Sequence, residues 1–116
     1  ARDLQIKLRS EGKPWEISKG FDSSAVIGDF ISVDDFKDMQ NIDFHLNIND
    51  TEVQKGNSSD MIFKIDEIIA YISQFYTLKI GDLLFTGTPV GVGPVKIDDH
   101  LQGFIADKKL LDFYVR

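Results

Sequence analysis

The residues best suited to chemistry lie in one short segment, residues 84–94, which reads LFTGTPVGVGP. It holds three glycines, two threonines and two prolines and follows an apolar run that is typical of a strand. Glycine lets the backbone turn sharply and approach a ligand closely, because it has no Cβ. Thr88, between Gly87 and Pro89, offers a hydroxyl and a backbone N–H, and Pro89 biases Thr88 toward an extended conformation. These groups could form a cradle for a small anion or a carboxylate, although Gly-Thr-Pro also occurs as an ordinary strand exit.

A second group of candidates carries positive charge. Lys19 lies in the segment ISKGFDSS (17–24), where small and apolar neighbours could let its ammonium group stabilise a developing enolate or carboxylate. The alternative is a surface lysine after a turn, which the usual exposure of lysine favours. Arg2 and Gln5 are three residues apart, so on a helix both would face one way and could clamp a carboxylate or a carbonyl. Their alternative is a solvated helix face.

The histidines and paired acids point less clearly to a site. His45 falls on the polar side of an alternating pattern, which predicts an exposed strand histidine rather than a base or a metal ligand. Residues 98–100 (DDH) resemble a metal cluster, but consecutive residues in a turn rarely converge on one ion, so a solvated acidic turn is predicted. Trp15 is interpreted as a packing anchor. The chain contains no Ser-His-Asp order, P-loop or dinucleotide fingerprint.

Composition narrows the class of protein. The 116 residues suit one domain, and the net charge of −6 argues against nucleic acid as a partner, since phosphate binding needs a basic surface. The longest apolar runs are far too short to span a membrane, and no secretory signal is visible. The absence of cysteine excludes disulfides and thiolate chemistry. We therefore expect a cytoplasmic domain that binds neither nucleic acid nor membrane.

Hydrophobic periodicity predicts an α+β fold dominated by sheet. Residues 42–54 alternate as a β-hairpin with its turn at Asn49-Asp50 and with the returning strand ending at 55–56. Residues 65–75 carry apolar side chains at helical spacing, with acids in the first turn. A short helix is predicted over 3–9, although apolar residues at 4, 6 and 8 would also suit a strand. The remaining predictions are a bent strand over 25–31, a helical turn over 34–36 and strands over 83–86, 101–106 and 110–115.

Four ordered motifs resemble the fumarylacetoacetate hydrolase family. They are ARDLQ (1–5), KPW followed by KGFD (13–15 and 19–22), SDMIF (59–63) and TGTPVGVGPV (86–95). The resemblance spans essentially the whole chain and is nearest to the small acylpyruvate hydrolases and oxaloacetate-handling members. It implies a Mg²⁺-dependent enzyme on a mixed β-roll, usually a homodimer, that acts on 1,3-dioxo acids or related 2-oxo acids.

The resemblance also implies roles for individual residues. Arg2 and Gln5 match the arginine and glutamine that contact substrate, and Lys19 matches the lysine beside the metal that orients water and stabilises enolate charge. Ser23 falls where relatives place a hydroxyl behind the metal ligands. Gly87 and Thr88 match the pair that holds the substrate carboxylate, which agrees with the cradle inferred from their chemistry.

The metal ligands of the family are not matched by any residue here. A Glu-x-Glu pair and an aspartate would precede Ala1, with a histidine–glutamate pair further upstream. We therefore expect residues 1–116 to be the C-terminal portion of a single catalytic domain. The expected reaction is Mg²⁺-dependent hydrolysis of a carbon–carbon bond in a short acylpyruvate-like acid through an enolate stabilised by the metal and Lys19. The alternatives are an isomerase, hydratase, decarboxylase or tautomerase of 2-oxo acids on the same fold, or an inactive half-domain.

Overall fold

The structure is a computed structural model that describes all residues, 1–116. It contains three α-helices, four β-strands and two single 3₁₀ turns. The helices are α1 (Arg2–Ser10), α2 (Glu16–Lys19) and α3 (Ile65–Ile72), the strands are β1 (Asp43–Ile48), β2 (Thr51–Asn57), β3 (His100–Ile105) and β4 (Lys108–Tyr114), and the 3₁₀ turns are Val33–Asp35 and Ser58–Asp60. The predicted sheet-dominated α+β class is confirmed. None of the helices has the length and apolar character that a membrane crossing requires.

The four strands form one antiparallel sheet in the order β2-β1-β3-β4. The predicted hairpin is confirmed: Asn49 and Asp50 both have positive φ, as a two-residue turn between twisted strands requires. Strand β2 continues to Asn57, beyond the predicted end at 55–56, because Gly56 and Asn57 still pair with β1. The predicted strands at 101–106 and 110–115 are confirmed as β3 and β4.

The predicted helices also form. The first is helical from Arg2 to Ser10, so its alternating apolar residues do not make a strand. Helix α3 starts as predicted, with the Lys64 backbone N–H donating to the Glu67 carboxylate (2.9 Å). It ends at Ile72 rather than at residue 75, because the N–H groups of Gln74 and Phe75 donate to carbonyls three residues back instead of four.

Two predicted strands are absent from the sheet. Residues 25–31 run beside β4 but share one backbone hydrogen bond with it, from Asp29 N–H to the Leu110 carbonyl (2.8 Å). Residues 83–86 pair with no strand, and Phe85 is largely exposed. Both predictions were wrong because an apolar run becomes a strand only where a neighbouring backbone completes the hydrogen-bond ladder.

The two histidines are held by aromatic neighbours. The prediction that His45 is exposed was wrong: it is half-buried, since Phe104 across the β1–β3 pair stacks on its ring (4.4 Å between centroids). His100 is the first residue of β3, not part of a turn, and stacks on Tyr114. The preceding Asp99 is also bonded rather than merely solvated, and its pKa is lowered mainly by the Lys96 backbone N–H and then by Asn49.

The chain buries little apolar surface. Leu8 and Leu101 are the two buried hydrophobic side chains, at 7% and 8% exposure, while Ile62 is 91% exposed. The radius of gyration is 15.8 Å, compared with about 13 Å for a compact domain of this length. Trp15, predicted as a packing anchor, is 43% exposed. Apolar surface of this extent usually marks a contact with other protein.

The thermal stability of the chain is expected to depend on pH through Asp112 on β4. The Lys109 ammonium, and next the His100 ring, lower its pKa from 3.8 to about 2 by hydrogen bonding. A carboxyl with a lowered pKa adds stability above its unfolded value, and this contribution is lost as the pH falls through about 2. We expect Asp112→Asn to flatten the fall of the melting temperature between pH 4 and pH 2. Asp107→Asn, in the adjacent turn, is the control and should leave that slope unchanged; an equal slope in both variants would contradict the assignment.

Candidate active site

A cavity of about 420 Å³ lies where the loop after residue 85 meets β1, β2 and the start of α3. Its lining combines an apolar wall with a few polar groups, the usual composition of a small-molecule site. The lining residues are Phe44, Asn57, Asp60, Met61, Ile62, Phe63, Ile68, Thr86, Gly87, Thr88 and Pro89. The cradle residues Gly87 and Thr88 therefore share one cavity with residues of the SDMIF motif, to which sequence reasoning gave no role.

Hydrogen bonds beside this cavity fix the turn that carries Asp60 and Met61. Ser58, 7% exposed, accepts from the Ile42 N–H (2.8 Å) and donates to the Met39 carbonyl (2.9 Å). Asn57 caps the next turn by accepting from the Ser59 N–H (2.8 Å). These bonds hold Asp60 and Met61 in place at the edge of the sheet. The sequence contained a signal for this, since Asn-Ser-Ser-Asp is a typical capped turn.

The loop that carries Thr88, which we define as the 86–94 loop, lies directly on β2. A Cβ on Gly56 would come 2.8 Å from the Phe44 ring and 3.1 Å from Pro89 Cγ, so the missing side chain makes room for the proline ring. A Cβ on Gly91 would lie 2.7 Å from the Val53 carbonyl oxygen, and Gly91 has φ +103°. Both positions need glycine for the loop to approach β2 this closely.

Lys19 lies in a separate cleft. It ends α2, is exposed, and lines a depression with Lys13, Pro14, Trp15 and Glu16. This cleft shares no lining residue with the cavity of Thr88. The chain by itself thus places Gly87 and Thr88 in one cavity but does not bring Lys19 into it. A single site that combines Lys19 with Gly87 and Thr88 stays a prediction.

Arg2 and Gln5 lie on α1, one turn apart and close to α2. The Ala1 nitrogen donates to the Ser18 carbonyl (3.0 Å), and Ser18 is almost fully buried. Arg2 follows Ala1 and Lys19 follows Ser18, so this contact places Arg2 and Lys19 on neighbouring helices. Ser23 lies in an exposed turn with φ +60°. The roles of these side chains in binding or catalysis stay predictions.

The carboxylates and histidines of this chain do not fit a divalent cation by themselves. No three His, Cys, Asp or Glu side chains approach closely enough to hold a metal ion. Among residues 98–100, Asp99 accepts hydrogen bonds from Asn49 and Lys96, and the His100 ring is bonded to Asp112. A metal in the active site would therefore need ligands from residues other than these.

Comparison with known proteins identifies the family. The family profile described as fumarylacetoacetate (FAA) hydrolase C-terminal matches residues 1–115. The chain belongs to the fumarylacetoacetate hydrolase family. Among its relatives is the oxaloacetate tautomerase YcgM of Escherichia coli K12, 46% identical over 101 residues, which are 86% of this chain and 46% of that protein.

Solved structures of this family have the same fold. A fumarylacetoacetate hydrolase family protein of Yersinia pestis CO92 superposes with a TM-score of 0.91 at 42% identity, covering 99% of this chain and 54% of that one. The fumarylpyruvate hydrolase of Pseudomonas aeruginosa, in complex with Mn²⁺ and pyruvate, superposes with a TM-score of 0.88 at 36% identity over 98% of this chain and 49% of that one. The present chain spans about half the length of the relatives it matches.

Proposed function

We propose that the intact protein containing this chain acts on a short 2-oxo acid through an enolate, with tautomerisation of oxaloacetate as its first candidate reaction. The observation that carries the proposal is the cavity shared by Gly87, Thr88 and an apolar wall, which suits a short carbon chain ending in a carboxylate. Similarity to the Escherichia coli oxaloacetate tautomerase supports this choice of substrate.

The residues of this chain have distinct roles in the proposal. Thr88 and the backbone of Gly87 hold the substrate carboxylate. Lys19 stabilises the negative charge that develops on the 2-oxo oxygen when a proton leaves the adjacent carbon, which is electrostatic stabilisation of the transition state. Arg2 and Gln5 contact the substrate from α1, and Ser23 supports the ligands of the metal.

A second candidate is hydrolysis of a carbon–carbon bond in an acylpyruvate. The similarity to the fumarylpyruvate hydrolase of Pseudomonas aeruginosa favours it. In that reaction water adds to the distal carbonyl, the bond to the carbon beside the 2-oxo group breaks, and the enolate left behind takes up a proton. Both reactions use the same carboxylate cradle and the same lysine, so the fold alone does not indicate which of them the protein catalyses.

The proposal extends to the rest of the protein. We assign residues 1–116 to the C-terminal portion of one catalytic domain, with a divalent cation, expected to be Mg²⁺, bound by residues outside them. The exposed apolar surface then contacts the remaining part of the domain and a second protomer of a homodimer. A cytoplasmic location is proposed from the composition, whereas the relative in Bos taurus is a mitochondrial protein.

The test is an assay of the intact protein with freshly dissolved enol-oxaloacetate and, separately, with acylpyruvates. We expect loss of the enol absorbance to be faster with protein and Mg²⁺ than with Mg²⁺ alone, and to fall to the spontaneous rate when EDTA removes the metal. Faster cleavage of an acylpyruvate than tautomerisation would favour the second candidate. Failure to act on either substrate would contradict the proposal, and an intact mass of 13.1 kDa would support the inactive half-domain instead.

A further inference from the structure

The side chain of Gln54 on β2 joins the strand to the 86–94 loop. Its Nε2 lies 2.8 Å from Thr88 Oγ1 and 3.0 Å from the Pro89 carbonyl oxygen. A backbone carbonyl can only accept, so the contact with Pro89 identifies the facing atom of Gln54 as the NH₂ group. Both hydrogens of that group are therefore directed into the loop.

This arrangement fixes the role of the Thr88 hydroxyl. A hydroxyl has one hydrogen to donate and two lone pairs to accept with. Because Gln54 donates to Thr88 Oγ1, the Thr88 hydrogen cannot point toward Gln54, and no protein acceptor within the chain takes it. The hydrogen is therefore free to donate to an acceptor in the cavity that Thr88 lines.

A β-bulge decides that Gln54 occupies this place. Leu46 pairs with Gln54, while the next residue, Asn47, pairs with Glu52, so Val53 is an extra residue in β2. Without the bulge, side-chain alternation would put Val53 on this face and turn Gln54 to the other one. The bulge also leaves the Val53 carbonyl where only Gly91 can approach it.

We propose that Gln54 is a positioning residue: it directs the Thr88 hydroxyl to donate into the cavity and so sets its preference for a carboxylate. The inference rests on the proposed function, because it assumes that Thr88 binds the substrate carboxylate. Gln54 acts through Thr88 and need not contact the reacting atoms.

The decisive variant is Gln54→Glu in the intact protein. A carboxylate of nearly the same shape cannot donate to Thr88 or Pro89; it accepts the Thr88 hydrogen, turns the hydroxyl away from the cavity and adds a negative charge. We expect the Kd for pyruvate and the KM for oxaloacetate to rise at least about tenfold, the scale of one hydrogen bond to a charged group, with a much smaller change in kcat.

Two further variants separate positioning from folding. Gln54→Met has the same length but neither donates nor accepts, so the Kd for pyruvate should rise less than in Gln54→Glu. Gln74→Glu, an exposed glutamine after α3, makes the same charge change away from the loop and should bind pyruvate normally. Equal losses in the methionine and glutamate variants, with kcat falling alongside affinity, would show a merely structural role and overturn the proposal. If Gln54→Glu does not fold, unchanged pyruvate affinity in Gln54→Met overturns it.

Thr88→Val distinguishes failure of this inference from failure of the proposed function. If it binds pyruvate as tightly as the unmodified protein, the proposed carboxylate site is wrong, and this inference fails with it. If Thr88→Val loses affinity while Gln54→Glu does not, the site stands and the role of Gln54 is overturned. We expect both to lose affinity and Gln54→Glu to have little additional effect once Thr88 is replaced, which is the coupling that a double-mutant cycle measures.

Discussion

Lys19→Met in the intact protein is expected to lower kcat for the 2-oxo acid by about two to four orders of magnitude. Methionine has a similar length but no charge, so the enolate would lose the ammonium group that the proposal places beside it. The melting temperature should change little, because Lys19 is exposed and its side chain forms no ion pair in this chain. Steady-state kinetics and thermal unfolding on the same preparations measure both effects.

Lys13→Met is the matched control for this experiment. Lys13 lines the same cleft as Lys19, but its ammonium group lies 2.6 Å from the Glu11 carboxylate. Surface ion pairs of this kind contribute little, so kcat should stay within a few-fold. If both lysine variants keep full activity, Lys19 is an ordinary surface residue and its assignment as a catalytic residue is wrong.

The second large effect is expected for Gly91→Ala. The new Cβ would lie 2.7 Å from the Val53 carbonyl oxygen, and an L-residue at φ +103° is strained as well. The cost is on the order of 1–3 kcal/mol, and the loop can relieve it only by lifting away from β2. This movement would break the Gln54 contacts with Thr88 and Pro89. We expect the KM for oxaloacetate to rise by an order of magnitude or more and the melting temperature to fall.

Gly93→Ala provides the comparison within the same loop. A Cβ at Gly93 meets nothing within 4 Å, and its φ lies outside the strained region. Its kinetics and melting temperature should therefore match those of the unmodified protein. Indistinguishable behaviour of the two alanine variants would mean that close approach of the 86–94 loop to β2 is unimportant for the site.

The elements that form by local rules could be predicted from the sequence. Asn49-Asp50 provides the positive φ values of a tight hairpin turn, and the apolar spacing from Ile65 to Ile72 gives one face of a helix. The cradle was predicted in the same way, since Gly87 and Thr88 are adjacent and their chemistry does not depend on distant residues. The family resemblance added predicted roles for Lys19, Arg2 and Gln5 that local patterns alone left open.

Other features depended on contacts between distant segments, which periodicity does not report. Residues 83–86 have the composition of a strand but pair with none, because no neighbouring backbone lies where the ladder would continue. His45 was predicted to be exposed, yet Phe104 covers it from a strand almost sixty residues later in the chain. The sequence predicted that β2 ends at Gly56. In the structure β2 continues beyond Gly56, whose missing side chain makes room for Pro89.

The position of Gln54 shows most clearly which features can be predicted from the sequence and which depend on the tertiary structure. The sequence by itself determined a hairpin and a sheet-dominated fold, and it predicted a loop able to hold a carboxylate. Only the tertiary structure decided that an extra residue at Val53 turns Gln54 toward Thr88, 34 residues away. A bulge shifts the alternation of side chains by one position, and the alternating pattern of the sequence does not show where such a shift falls.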